Sequence, residues 1–117
     1  MARTILIVDD SRVARTLTKR VLAEVEPNVE LKEAETGDQA IAIVAAGAID
    51  AIFMDMNMPG IDGLTAAGQI LAARPEQKIA LVTANIQDTV RERAKAMGVR
   101  FIGKPVQKVD VEAFLKS

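Results

Sequence analysis

The chain of 117 residues is half hydrophobic yet carries only three aromatic residues, all phenylalanine, and its 15 basic and 16 acidic side chains leave a formal net charge of −1. This length suits one domain, residues 1–117, that buries its own core, while near-zero charge without a run of Lys and Arg speaks against nucleic-acid binding. The lack of cysteine excludes disulfides and thiolate chemistry, and the lack of histidine excludes imidazole bases, imidazole metal ligands and a phosphohistidine carried by the chain itself.

In chain order, a first strand is expected over residues 4–8, stopped by Asp9 and Asp10. Its apolar run is far too short for a signal sequence or a membrane span, so the reading is a soluble cytoplasmic protein that does not engage a membrane. Ser11 is placed to cap a first helix whose Ala14, Leu17, Val21 and Val25 fall on one apolar stripe, with Pro27 just beyond its end. A second strand over 29–34 leads through Thr36 and Gly37 into a helix that turns Ala40, Ile41 and Val44 inward and closes at Gly47. The third strand, from residue 51, reads as fully buried but ends on a carboxylate, Asp55. Pro59, Gly60 and Gly63 then supply a tight turn into a third helix near 63–73, lined by Leu64, Ala67 and Leu71. A fourth strand at 79–83 precedes a helix near 86–97 with Ile86, Val90, Ala94 and Met97 in line and Gly98 as its stop. The charges at 91–95 read as its solvated face, and Met54, Met56 and Met58 as packing around the rim. A short strand at 100–102 and a helix near 108–116 complete the chain.

Five strands alternating with five helices imply βαβ units: an α/β fold with a doubly wound parallel sheet and helices on both faces. Ligands gather beyond the carboxyl ends of such strands. Asp9 and Asp10 end the first strand, Asp55 the third and Thr83 the fourth, and Lys104 follows the fifth. The buried third strand thus serves as a rigid post that carries Asp55 to the rim. Taken singly, each residue has a plain explanation as a turn former, a cap or loop punctuation, and their joint placement carries the inference.

The segments "ILIVDDS" (5–11), "FMDMNMPGIDG" (53–63), "LVTAN" (81–85) and "FIGKP" (101–105) together resemble the receiver domain of two-component response regulators, specifically its single-domain, chemotaxis-type members. The resemblance spans essentially the whole chain. It implies a flavodoxin-like strand order 2-1-3-4-5 and an acidic site for Mg²⁺. Crowded carboxylates repel by about 1 kcal/mol per pair in water, and about 4 when partly buried at roughly 4 Å, so such a site wants a dication. Oxygen-only ligands favour magnesium. By the same resemblance Asp10, Asp55 and the main-chain carbonyl of Asn57 touch the metal directly, and Asp9 acts through water.

Asp55 is then the phosphoryl acceptor, with Thr83 and Lys104 as its catalytic companions and a cis peptide expected between Lys104 and Pro105. The donor is a sensor histidine kinase or a histidine phosphotransfer protein, and the signal passes to a downstream target protein. Such a monomer catalyses its own phosphorylation and slow dephosphorylation without being a conventional enzyme. Asn57 and Asn85 stand where they would tune the hydrolytic water, and Phe101 occupies a position where relatives often carry a switching tyrosine. Two other readings are a pseudo-receiver that binds proteins constitutively and a nucleotide-binding or phosphatase α/β enzyme. The latter is disfavoured because strand one runs into "DDSR" rather than a glycine-rich phosphate loop.

Overall fold

In the computed structural model, which describes residues 3–84 and 87–117, the apolar runs become β1 (Thr4–Val8), β2 (Glu30–Ala34), β3 (Ala51–Asp55), β4 (Ile79–Thr83) and β5 (Arg100–Gly103). All neighbours pair in parallel, in the order β2-β1-β3-β4-β5. This is the expected flavodoxin-like arrangement. The central strands β3 and β4 are buried along their whole length, because helices cover both faces and leave no solvent side to alternate towards. The edge strand β2, by contrast, is charged and mostly exposed, which discourages further pairing.

The helices are α1 (Arg12–Val25), α2 (Gly37–Ala46), α3 (Gly63–Ala73), α4 (Asp88–Ala96) and α5 (Lys108–Lys116). Successive strand residues point to opposite faces and so divide the core in two. Leu6, Val8, Ile52, Met54 and Leu81 pack under α2, α3 and α4, whereas Ile5, Ile7, Phe53, Ala80 and Val82 meet α1 and α5. On the second face the Phe53 and Phe114 rings stand edge to face with centroids 5.2 Å apart. The caps are local and polar. Ser11 Oγ accepts from the Ala14 amide at 3.2 Å, Thr36 Oγ1 from Gln39 at 3.1 Å, and Asp62 Oδ1 from Thr65 at 2.8 Å. Gly98 takes φ +77° just past α4, the left-handed turn expected of it. Asn85 and Ile86, assigned above to the hydrolytic water and to the fourth helix, lie outside the described residues.

One expected face is corrected. The buried residues of α1 are Arg15, Thr18 and Leu22, while Leu17 is 51% exposed. Counting apolar spacing alone rotates the helix by part of a turn, because it ignores an arginine that buries itself by pairing. The three methionines behave as expected: Met54 is fully buried, and Met56 and Met58 pack against its side of the core.

The turn after β3 has little slack. Gly63 donates its amide to the Met56 carbonyl at 2.9 Å, and a methyl at its α-carbon would run into the Asp55 carbonyl oxygen and the Met56 backbone. Gly63→Ala should therefore destabilise the fold by about 1–3 kcal/mol and displace the strand end that carries Asp55. Urea unfolding beside Gly47→Ala, where a methyl meets nothing within 4 Å, checks this.

Candidate functional site

The chain winds from β1 out to β2 and then back across β1 to β3, so the strand order reverses between β1 and β3 and opens a crevice beyond their carboxyl ends. Three carboxylates meet there. Asp9, Asp10 and Asp55 each offer an oxygen, and these oxygens lie within 4.8 Å of one another. Asp9 and Asp55 are each only 6% exposed, while Asp10 faces solvent.

Lys104 reaches the cluster from the loop after β5, beside a cis bond to Pro105. Its Nζ stands 2.9 Å from Asp9 Oδ2 and 3.0 Å from Asp55 Oδ1, while its amide donates to the Thr83 carbonyl at 2.9 Å. The second Asp9 oxygen accepts from the Ser11 amide at 2.9 Å. Thr83 itself is 1% exposed at the end of β4, in register with Gly103. Asn57 sits exposed in the turn two residues after Asp55. The structure thus draws Asp9, Asp10, Asp55 and Lys104 into one cluster, with Thr83 on the β4 end that borders it and Asn57 in the turn after β3.

The electrostatics are lopsided. Three carboxylates face one ammonium, a formal excess of two negative charges. Burial pushes the Asp55 carboxyl above its ordinary 3.8; the Lys104 hydrogen bond opposes that rise and the neighbouring Asp9 adds to it. Burial alone would lower Lys104, but the hydrogen bonds it donates to Asp9 and Asp55 outweigh it, and the ammonium ends above its ordinary 10.5. The two shifts differ in origin: burial dominates at Asp55, whereas at Lys104 the two carboxylate partners overcome burial. An oxygen-only donor set with excess negative charge suits a hard divalent ion.

Behind Asp9 lies a residue that the sequence did not point to. Arg15, 7% exposed, donates from Nη1 to the Asp9 carbonyl at 2.6 Å and from Nε to Glu33 Oε1 at 2.9 Å. Lys19 adds a second contact to Glu33 at 3.2 Å. The Arg15 hydrogen bond, resisted by partial desolvation and assisted by Lys19, holds the Glu33 carboxyl below its usual 4.5. On the other flank, beside Lys104, a cavity of about 580 Å³ is lined chiefly by Leu17, Val21, Ala84, Pro105 and Val106. Farther along β5 the guanidinium of the exposed Arg91 covers the half-buried Phe101 ring at 5.0 Å. No described helix is long and apolar enough to cross a membrane.

A family model described as the response regulator receiver domain matches residues 5–116. Response regulator UvrY of Escherichia coli O157:H7 is 28% identical over 114 residues, which cover 97% of this chain and 52% of UvrY. Protein-glutamate methylesterase/protein-glutamine glutaminase 3 of Vibrio cholerae is 37% identical over 103 residues, 86% of this chain and 28% of that protein. The chain thus spans about half the length of UvrY and less of the methylesterase. Among solved structures, chemotaxis protein CheY4 of Vibrio cholerae superposes with a TM-score of 0.87 at 23% identity, covering 99% of this chain and 98% of that one. The receiver domain of Ssk1 from Saccharomyces cerevisiae, solved with the histidine phosphotransfer protein Ypd1, gives 0.85 at 23% identity, covering 98% and 87%.

Proposed function

Because the chain belongs to the response regulator receiver domain family, we propose that it is the phosphoryl-accepting switch of a two-component phosphorelay, with Asp55 as the acceptor. One observation carries the reading: a buried carboxylate on a rigid strand end has two further carboxylates within 4.8 Å and an ammonium at 3.0 Å. A nucleophile, a cation site and a fixed positive charge are the parts that phosphoryl transfer needs, since its catalysis is mostly positioning and charge neutralisation.

In the proposed reaction an Asp55 carboxylate oxygen attacks phosphorus in line. The bond from phosphorus to the donor's imidazole nitrogen breaks, and Asp55 becomes an acyl phosphate while the imidazole leaves. Asp9, Asp10, Asp55 and the main-chain carbonyl of Asn57 would hold Mg²⁺, which when bound neutralises charge on the phosphoryl oxygens. Lys104 already stands 3.0 Å from the acceptor and would pair with the incoming anion. Thr83 would donate its hydroxyl to a phosphoryl oxygen, and the small Ala84 beside it leaves the approach open. Water attack on the acyl phosphate resets the switch slowly.

The chain has no histidine, so the phosphoryl group comes from a sensor histidine kinase, a histidine phosphotransfer protein or a small phosphodonor. Leu17, 51% exposed, lines the apolar cavity next to Lys104 and suits a partner helix that brings its phosphohistidine to the rim. Output passes through α4, β5 and α5 to a downstream protein, with Phe101 beneath Arg91 as the element that repacks. Moving that equilibrium from 1:99 to 99:1 takes about 5.5 kcal/mol of differential stabilisation, a scale that a new dianion paired with Lys104, Thr83 and a dication can approach.

Intact mass spectrometry after incubation with acetyl phosphate and Mg²⁺ tests the reading. One phosphoryl group should add, on the peptide that contains Asp55, and EDTA should prevent it. An unmodified protein under acetyl phosphate, phosphoramidate and a panel of phosphorylated kinases would leave only a binding module.

A further inference from the structure

We propose that Arg15 is a positioning residue for the acidic cluster: its guanidinium fixes the Asp9–Asp10 peptide and thereby sets how tightly the three carboxylates hold a divalent cation. The inference rests on the reading of that cluster as a Mg²⁺ site. Arginine is rarely buried unless paired, and here three of its nitrogens are engaged. Nη1 donates to the Asp9 carbonyl at 2.6 Å, Nε to Glu33 Oε1 at 2.9 Å, and Nη2 stands 3.8 Å from Glu35 Oε1.

The consequence lies in the peptide plane. The Asp9 carbonyl and the Asp10 amide belong to one rigid unit, so the hydrogen bond that aims the carbonyl also aims the start of Asp10. The amide of Asp9 is held separately, by the Ala34 carbonyl at 3.1 Å. Asp9 is therefore pinned on both sides to β2: directly through Ala34, and through Arg15, which is itself anchored on Glu33. Its side chain is fixed by Ser11 and Lys104. Among the described residues no side-chain partner holds Asp10 on the exposed rim; Arg15 holds the peptide that precedes it, and the Ser11 amide, bonded to Asp9 Oδ1, fixes the residue that follows. Groups one layer behind metal ligands commonly change affinity by 10–100-fold when lost.

A purely structural Arg15 would tie α1 to β2 and affect stability alone. Isothermal titration of Mg²⁺ into the wild type, Arg15→Met, Arg15→Lys and Leu22→Ala separates the two roles, at a temperature where circular dichroism shows each folded. Leu22 is fully buried on the same helix and does not touch the cluster, so its truncation costs stability only. Arg15→Met should bind Mg²⁺ about tenfold more weakly, and Leu22→Ala should bind like the wild type. Lysine offers a compact charge in place of a planar fork, so Arg15→Lys should lose about threefold. Wild-type affinity in Arg15→Met, or an equal loss in Leu22→Ala, overturns the proposal. Should Arg15→Met fail to fold, Arg15→Lys decides alone, with a loss supporting the proposal and wild-type affinity overturning it. A wild type that binds no Mg²⁺ removes the parent reading and this inference with it, whereas a normal wild type beside an unaffected Arg15→Met removes this inference only.

Discussion

Asp55→Asn should abolish phosphoryl uptake from every donor and at the same time raise the melting temperature. The first effect follows from chemistry, because an amide oxygen is a poor nucleophile and cannot form the acyl phosphate. The second follows from the environment. Burial, with Asp9 adding to it, raises the Asp55 carboxyl above 3.8, so its charged form is less comfortable in the fold than in the unfolded chain. A group with a raised carboxylate pKa costs stability above that pKa, and the cost is relieved as pH falls towards 3.8. Asparagine keeps the shape without the charge and relieves the repulsion from Asp9 and Asp10. A gain of about 0.5–2 kcal/mol is the scale typical of relieving a functional site, and each kcal/mol moves the midpoint of a domain this size by about 4 °C. Calorimetry in magnesium-free buffer at neutral pH, beside mass spectrometry with acetyl phosphate, reads both effects. A stable variant that still takes up phosphate would move the acceptor elsewhere, and a less stable one would mean that Lys104 more than compensates Asp55.

How much of this was legible beforehand depends on whether the deciding contact leaves a trace in side-chain type. Hydrophobic runs with β-branched residues mark strands wherever helices cover both faces, and Asp9, Asp10, Asp55 and Lys104 are visible because charges at strand ends interrupt those runs. Arg15 was hidden for the opposite reason. A cation on a helix reads as solvent-facing, and what buries this one is a main-chain carbonyl six residues back and a carboxylate on another strand. The same blindness put Leu17 inside, since apolar spacing was counted without the arginine that takes the inward position. Gly63 was legible as a turn residue, but the contact that makes it hard to replace is with the backbone under Asp55. Arg91 belongs to an exposed charged stretch as expected, yet its place over Phe101 depends on how α4 lies against β5.

Lys104→Met should have the reverse signature on stability while also crippling the reaction. Removing one preorganised charge from a phosphoryl or oxyanion site typically costs about 10²–10³ in rate, so uptake from acetyl phosphate at saturating Mg²⁺ should slow by that factor. Unlike Asp55→Asn, however, the change leaves Asp9 and Asp55 buried with no cation between them, and the loss of a partner from buried acceptors costs about 1–3 kcal/mol. The sign with pH follows from the lysine. Its folded pKa is raised above 10.5, so its contribution is complete below 10.5 and disappears as pH rises through the folded value. Urea unfolding without metal should show the wild type ahead of Lys104→Met by a constant margin at neutral pH, narrowing above pH 10.5. A double-mutant cycle closes the argument, because in the Asp55→Asn background only Asp9 remains as an ion-pair partner for Lys104, and the lysine should be worth less there. Full additivity of the two substitutions would show that the 3.0 Å contact between Lys104 and Asp55 carries no coupling in solution, and the charge balance derived for the site would have to be redrawn around Asp9 alone.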